Sequence, residues 1–292
     1  MPNLVLGIIE NVDRKYVEPF INSLRGCGYD DEVVLFAKNV SKDAREFLTR
    51  NKVRLLRYRA IRLPRGMWFL RRSFIKLYSK LFRGKFFPFQ ETVIKLFWHC
   101  QSARYYYFYD FLLKSPVKYK MILLCDVRDT VFQRYPFPGD IGSDICCFEE
   151  YSGYRICDRP VNCDWLRLIG EDIPEKIGDK RVICSGAVLG THDGILRSIR
   201  AMKALLWKYH WPRGYDQGIL NFLVHLNHLT GVKAVPYGEG PVMHIAIAPR
   251  DKINTGEGGE VLLNDGSVCP VVHQYDRHPD IMAGMLKKYR TS

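Results

Sequence analysis

No apolar run in this sequence reaches the ~18 residues needed to cross a bilayer. No Cys-x-x-Cys pair occurs, and the nine cysteines are scattered and odd in number. Cys125 and the Cys146-Cys147 pair lie in apolar runs and read as small core hydrophobes. The expectation is a reducing cytoplasm and no structural zinc. A basic leader is also missing. Met1-Pro2-Asn3-Leu4 runs straight into a strand, so no signal peptide is expected. The glycine-rich run Asn254 to Gly259 lacks the Gly-Lys-Ser/Thr ending of a phosphate loop and reads as a mobile loop.

Acids are absent from residues 47 to 90, which hold thirteen lysines and arginines, a number equal to the whole net charge of +13. Within 57–90 these bases interleave with aromatics, as in Trp68-Phe69-Leu70-Arg71-Arg72 and Phe74-Ile75-Lys76-Leu77-Tyr78. That pattern fits a basic amphipathic helix lying on an anionic membrane surface or facing an anionic acceptor. A helix packed on the domain with a solvated basic face is the plainer alternative. No nucleic-acid motif accompanies the charge, so no nucleic-acid partner is expected. The location that follows is cytoplasmic, peripheral at the inner face of a membrane.

What is present is a chain of 292 residues, 47% apolar and 13% aromatic, ample for a globular core. Leu4 to Ile9, Glu32 to Phe36 and Val53 to Leu56 read as strands. A helix from Tyr16 to Arg25 carries Val17, Phe20, Ile21 and Leu24 on one face and stops at Gly26 and Gly28. Ser41 opens a second helix. Strand and helix alternate here as in a Rossmann-like half. Glu10-Asn11-Val12-Asp13 reads as the first loop. Thr92 to Leu113 reads as one long helix, carrying Arg104.

The central stretch runs from Tyr119 to Pro138. Met121-Ile122-Leu123-Leu124-Cys125 is an apolar run of strand length, of the kind buried inside a parallel sheet. It ends in Asp126 and Asp129, with Arg128 between them. Acids at the carboxyl end of a buried strand suit a divalent cation held against a diphosphate. Asp144 to Glu149 is a further strand. Tyr151 to Lys180 shows turn chemistry without clear periodicity and reads as a lid or acceptor-side insertion. Val182 to Gly190 is a strand interrupted by Gly186, which marks a bulge or a close backbone approach. Tyr215-Asp216-Gln217-Gly218-Ile219-Leu220-Asn221 follows one helix later. Val271-Val272-His273 lies near the end of the chain.

The apolar strand with its two acids resembles the aspartate motif of GT-A glycosyltransferases, although the usual Asp-x-Asp is stretched by one residue. Val182 to Gly190 resembles the Asn-Ser-Gly strand of retaining members such as glycogenin and the lipopolysaccharide galactosyltransferases, with Cys184 in place of Asn. Asp216 to Asn221 resembles their Asp-Gln-x-x-Leu-Asn motif, and His273 their closing histidine. The resemblance implies an α/β GT-A-like domain over residues 1–292, with a Rossmann-like N-terminal half and a mixed central sheet flanked by helices. It also implies a metal-dependent transferase, moving a hexosyl or pentosyl group from a nucleotide-sugar donor, preferably a UDP-sugar, to a glycan or glycolipid acceptor in polysaccharide or glycoconjugate synthesis. Mn²⁺ or Mg²⁺ would be held by Asp126, Asp129 and His273, with His244 as the reserve ligand. Glu10, Asn11, Arg104, Arg128, Ser185 and Gly186 would meet the nucleotide sugar. An Arg in the position of Arg104 more often pairs with a local acid. Asp216 and Gln217 would sit at the reacting carbon, retention being favoured.

Two other classes remain open. A non-catalytic membrane-surface or polyanion-binding module would rest on residues 57–90. A haloacid-dehalogenase-type phosphatase would use Asp126-Val127-Arg128-Asp129-Thr130, but that motif wants an Asp where Arg128 stands and ends the first strand of its fold.

Overall fold

The computed structural model describes residues 1–61, 73, 77, 89–206 and 215–290. Most of the basic aromatic stretch, and with it the amphipathic helix expected there, lies outside the described residues. Among those described, no helix is long and apolar enough to cross a membrane.

Strands β1 (Leu4–Val12), β2 (Glu32–Val40) and β3 (Val53–Arg57) run parallel, joined through α1 (Arg14–Gly26) and α2 (Lys42–Arg50). Strand β4 (Met121–Cys125) adds in parallel on the other side of β1. The sheet continues through β7 (Ile183–Thr191), β6 (Ile145–Glu149) and β8 (Val232–Val235). Its order is β3-β2-β1-β4-β7-β6-β8, and β7 is antiparallel to both neighbours. The sheet is therefore mixed, as expected.

Both faces of the sheet are covered, which is why its central strands read as unbroken apolar runs. Leu4 and Leu6 face a core built with α4 (Cys100–Lys114), α7 (His192–Leu206) and α8 (Asp216–His225). Val5 and Ile9 point the other way, onto Val17, Phe20, Ile21 and Leu24 of α1 and Phe47 and Leu48 of α2. The helical spacing read in the sequence thus marks the buried face of α1. Ser41 caps α2, its hydroxyl accepting from Ala44 N–H at 3.3 Å. Gly28 takes a left-handed conformation just past α1, where a Cβ would be strained.

A three-stranded sheet of β5 (Thr130–Phe132), β10 (Val271–His273) and β9 (Val242–His244) lies beside the main one. Helix α9 (Pro279–Tyr289) packs on it through Ile281 and Met285.

Three expectations need correction. Residues 10–12 are not a loop, because β1 runs on to Val12; its pairing with β2 steps over Asn11 and Asn39, both left-handed. The long helix breaks into α3 (Phe89–Phe97) and α4, because His99 is extended and caps α4, its Nδ1 accepting from Gln101 N–H at 3.4 Å. Residues 151–180 are substantially helical, with a 3₁₀ turn at Ile156–Asp158, α5 (Pro160–Arg167) and α6 (Ile173–Ile177). Their apolar residues Leu166, Ile169, Ile173 and Ile177 do recur at helical spacing and enter the main core. Gly170 and Pro174 cut the period short, which hid it. Cys157 and Cys163 are joined here as a disulfide, their Cα atoms 4.5 Å apart, across the 3₁₀ turn and the start of α5.

Candidate active site

Leu6 of β1 pairs with Leu124, so β4 ends level with Gly7 while β1 runs on to Val12, and Asp126, just past the end of β4, lines a cleft. Asp126 follows the last residue of β4, and its backbone N–H donates to Gly186 O at 2.8 Å. A tight turn at 127–129 then folds the chain back. Val127 is buried, Arg128 is exposed, and Asp129 returns beside Asp126. The extra residue in the motif is absorbed by this turn. Strand β5 starts at once, and its Thr130 pairs with His273 of β10. That register delivers the third member. His273 Nε2 lies 3.8 Å from Asp126 Oδ2 and 3.6 Å from Asp129 Oδ1.

Asp126, Asp129 and His273 offer ligand atoms within 4.8 Å of one another. The separations are too long for hydrogen bonds and suit shared coordination. Ligands about 2.1 Å from one hard cation lie roughly 3 to 4 Å from each other. His273 is 1% exposed, and its Nε2 is buried without a hydrogen-bond partner among the described residues. A buried orphan nitrogen facing two carboxylates fits a cation, and the donor set fits Mn²⁺ or Mg²⁺.

The charges are coupled. Burial would raise the Asp126 carboxyl, but the Arg104 guanidinium and His273 outweigh it and hold it well below the usual range. Burial raises Asp129, with His273 pulling down and Asp126 pushing up. Burial opposes protonation of His273, yet Asp129 and Asp126 raise its value overall. The sign follows. A histidine raised above ~6.5 in the folded state stabilises the metal-free protein fully below about pH 6.5. That contribution is lost as pH rises through the raised value. Cation binding runs the other way, because it needs Nε2 bare. Mn²⁺ affinity should therefore be weaker at about pH 6 than at about pH 8. Equal affinity in titrations at both would take His273 out of the ligand set.

Behind the acids sits Arg104 of α4, 5% exposed. It donates to Asp126 Oδ1 at 2.6 Å, to Asp216 Oδ2 at 2.7 Å and to Ser185 O at 2.8 Å. Tyr105 OH also reaches Asp216 Oδ2, at 3.3 Å. Arg104 is thus a clamp tying together the ends of β4, β7 and α8. It leaves Asp126 one oxygen, Oδ2, for a cation. Asp216 is 2% exposed, and burial raises its carboxyl while Arg104 pulls it down. It is no helix cap: Tyr215 holds the cap position, Asp216 is the first residue of α8, and its side chain is held by Arg104 and Tyr105. Asn221, five residues on, donates to and accepts from the Ile183 backbone, at 2.7 and 2.9 Å, and stitches α8 to β7. Asn221 is thus turned into the protein, while Asp216 and Gln217 of that motif both line the cleft.

Gly186 earns its place by a close approach. A Cβ there would stand 2.1 Å from Cε1 of His273. Gly186→Ala must push the imidazole aside, at a cost of about 1–3 kcal/mol. We expect it to lose most Mn²⁺ binding while still folding; Mn²⁺ titration with unchanged affinity would show that the ring has room to move.

The cleft, about 510 Å³, is lined by Asp126, Ser185, Gly186, Asp216, Gln217 and His273, with His99, Gln101, Val161, Trp165, Cys184 and Gln274 completing it. Of the residues expected at the nucleotide sugar, Glu10 pairs with Lys38 at 3.2 Å, and Asn11 Oδ1 accepts from Asn39 Nδ2 at 2.9 Å. The Cys100 thiol is pushed up to about 11, first by burial and then by Glu10. Arg128 turns outward, its guanidinium 4.5 Å over the Tyr16 ring. Sequence reasoning missed Tyr105, Trp165 and Glu150. Glu150 is buried just past β6. Burial raises its carboxyl, against the pull of the Cys184 thiol, His273 and the Gln217 amide. Two adjacent acids closing an apolar strand were the available signal.

This architecture is the GT-A fold. No family model matches the sequence. No curated protein matches it by sequence either. Among solved structures it is similar to an active-site mutant of LgtC, at 14% identity and TM-score 0.53, covering 99% of this chain and 97% of that one. It is also similar to the galactosyltransferase LgtC in complex with donor and acceptor sugar analogues, at 12% identity and TM-score 0.51, with the same coverage. At these identities the likeness is one of fold. The phosphatase alternative loses its footing here, since Asp126 follows the fourth strand of the chain and not the first.

Proposed function

We propose that this protein is a metal-dependent glycosyltransferase, acting as one domain of 292 residues, that moves a sugar from a nucleotide-sugar donor to a glycan or glycolipid acceptor. The observation that carries the reading is the convergence of Asp126, Asp129 and His273 at the carboxyl end of the central strands. The likeness to a galactosyltransferase that binds donor and acceptor sugar analogues supports it. UDP-sugars are the preferred donors. Synthesis of a polysaccharide or glycoconjugate is the setting. The base-rich segment 57–90 favours an acceptor on an anionic membrane surface, and a cytoplasmic, peripheral location.

Asp126 Oδ2, Asp129 and His273 Nε2 would hold Mn²⁺ or Mg²⁺. When bound, the ion offsets negative charge developing on a leaving diphosphate. Arg104 keeps Asp126 ionised and aimed, and it keeps Asp216 charged although buried. Gln217 presents its amide at the cleft surface, where a donor sugar would lie. Ser185 and Gly186 bring backbone to within contact of that sugar. Retention is the favoured outcome, because buried, clamped Asp216 is poorly placed to take a proton from an acceptor.

The test is a thermal-shift panel of UDP-, GDP-, CMP- and dTDP-sugars, each with and without Mn²⁺. A ligand at a hundred times its dissociation constant adds ~2.7 kcal/mol of stability. A Mn²⁺-dependent rise with one nucleotide class is expected. No rise with any of them, from folded protein, would favour a binding module instead.

A further inference from the structure

His244 is not one of the three groups in the cluster above, though with Cys184 and His273 it offers a second set of ligand atoms, and it is completely buried beside the His273 ring. It lies on β9 in register with His273 on β10. The two rings are nearly perpendicular, at 88°, and Nδ1 of one is 2.7 Å from Nδ1 of the other. A hydrogen bond between two Nδ1 atoms holds one proton, so one ring donates and the other accepts.

The choice decides what His273 can do. Suppose His244 donates. Then Nδ1 of a neutral His273 is bare, its proton sits on Nε2, and the nitrogen facing Asp126 and Asp129 has no free lone pair. Suppose instead that His273 donates. Its Nε2 is then bare, and the lone pair points at the gap between the two carboxylates. Which nitrogen of a histidine ligates is set by the bond that the other nitrogen makes.

The surroundings of His273 favour the second arrangement, which leaves the proton of His244 on an Nε2 that is buried without a partner among the described residues. The other group close to His273 Nδ1 is the Cys184 thiol, at 3.9 Å, a weak partner that already accepts from Gly186 N–H at 3.5 Å. A ring bound to a cation through Nε2 becomes a stronger donor at Nδ1 and needs an acceptor there. Carboxylates usually fill that role. Asp126, Asp129 and Glu150 already act on His273, and another carboxylate would add a fourth negative charge. A neutral imidazole accepts that hydrogen bond without adding charge.

We propose that His244 is a positioning residue: it accepts from Nδ1–H of His273, fixes that tautomer and so frees Nε2 for a divalent cation. This rests on the metal reading above, and the experiment separates the two. Mn²⁺ affinity is measured by titration with EPR detection of free Mn²⁺ for wild type, His244→Asn and His244→Leu, with melting temperatures alongside. Asn places its amide oxygen near the position of the lost Nδ1 and can still accept; Leu cannot. His244→Leu should bind Mn²⁺ 10- to 100-fold more weakly, and His244→Asn should recover most of that loss. Wild-type affinity in a folded Leu variant would overturn the proposal, as would an Asn variant as weak as the Leu variant. If the Leu variant does not fold, long-range proton–nitrogen NMR of the metal-free wild type decides. Protonated Nδ1 on His273 and bare Nδ1 on His244 are expected, and the reverse assignment would sink the idea. Should wild type bind no Mn²⁺, the metal reading fails, and the same spectra still judge the tautomer.

Discussion

Asp129→Ala is expected to cut glycosyl transfer by at least about a thousandfold, roughly 4 kcal/mol of transition-state stabilisation, and to abolish Mn²⁺ binding. Asp129 is the cleaner acid to remove. Asp126 also anchors Arg104, at 2.6 Å, so its loss would mix metal binding with folding. Among the described residues, the Asp129 side chain has no such partner other than His273, at 3.6 Å. Burial already raises its carboxyl, and Asp126 pushes the same way, so the folded state gives up little with it. The metal-free variant should therefore melt within about 4 °C of wild type, a shift worth about 1 kcal/mol or less. It should also lose the Mn²⁺-dependent thermal shift with nucleotide. Transfer within tenfold of wild type would remove Asp129 from the site.

Arg104→Met is expected to have the largest effect on stability, a loss of about 3–5 kcal/mol. The methionine fills much of the same space, so the loss is not chiefly one of packing. It arises because Asp216, 2% exposed, would keep only the neutral Tyr105 hydroxyl, and one oxygen of Asp126 would also lose its counter-charge. Two controls follow from that cause. Adding Asp216→Asn to Arg104→Met should restore part of the stability, because one orphaned charge is gone. The single variant should also be closest to wild type in acid, where a buried Asp216 without its arginine takes up a proton. Urea unfolding would read both. A loss below about 1 kcal/mol would mean that the clamp is mostly compensated by solvent, as exposed pairs are.

Much of this molecule could be read locally. The apolar runs at Leu4 to Ile9 and Met121 to Cys125 mark central strands because both faces of the sheet are covered. Val17, Phe20, Ile21 and Leu24 mark the buried stripe of α1 because its period is helical. Asp126, Asp129, Gly186, Gln217 and His273 stand out because acids, glycines and histidines break apolar runs at strand ends, where ligands meet open sheets. The misreadings have local causes too. Gly170 and Pro174 interrupt the helical spacing between 160 and 177. The break before α4 depends on His99 turning extended, and nothing in that polar–aromatic stretch announces it.

The sequence by itself determined the alternating strands and helices of the N-terminal half, the central strand and the kinds of chemistry placed at strand ends, since these follow from spacing and residue type within a few positions. Only the tertiary structure decided which groups meet. Arg104 spans 112 residues to reach Asp216, so an arginine that might have bound phosphate instead holds two buried acids together. The extra residue between Asp126 and Asp129 is harmless because the β5–β10 register sets His273 opposite Thr130. Parallel β9 and β10 put His244 against the His273 ring, on the side away from Asp126 and Asp129. Such pairings depend on crossover and register, which join residues far apart in the chain, and no local pattern encodes their distances.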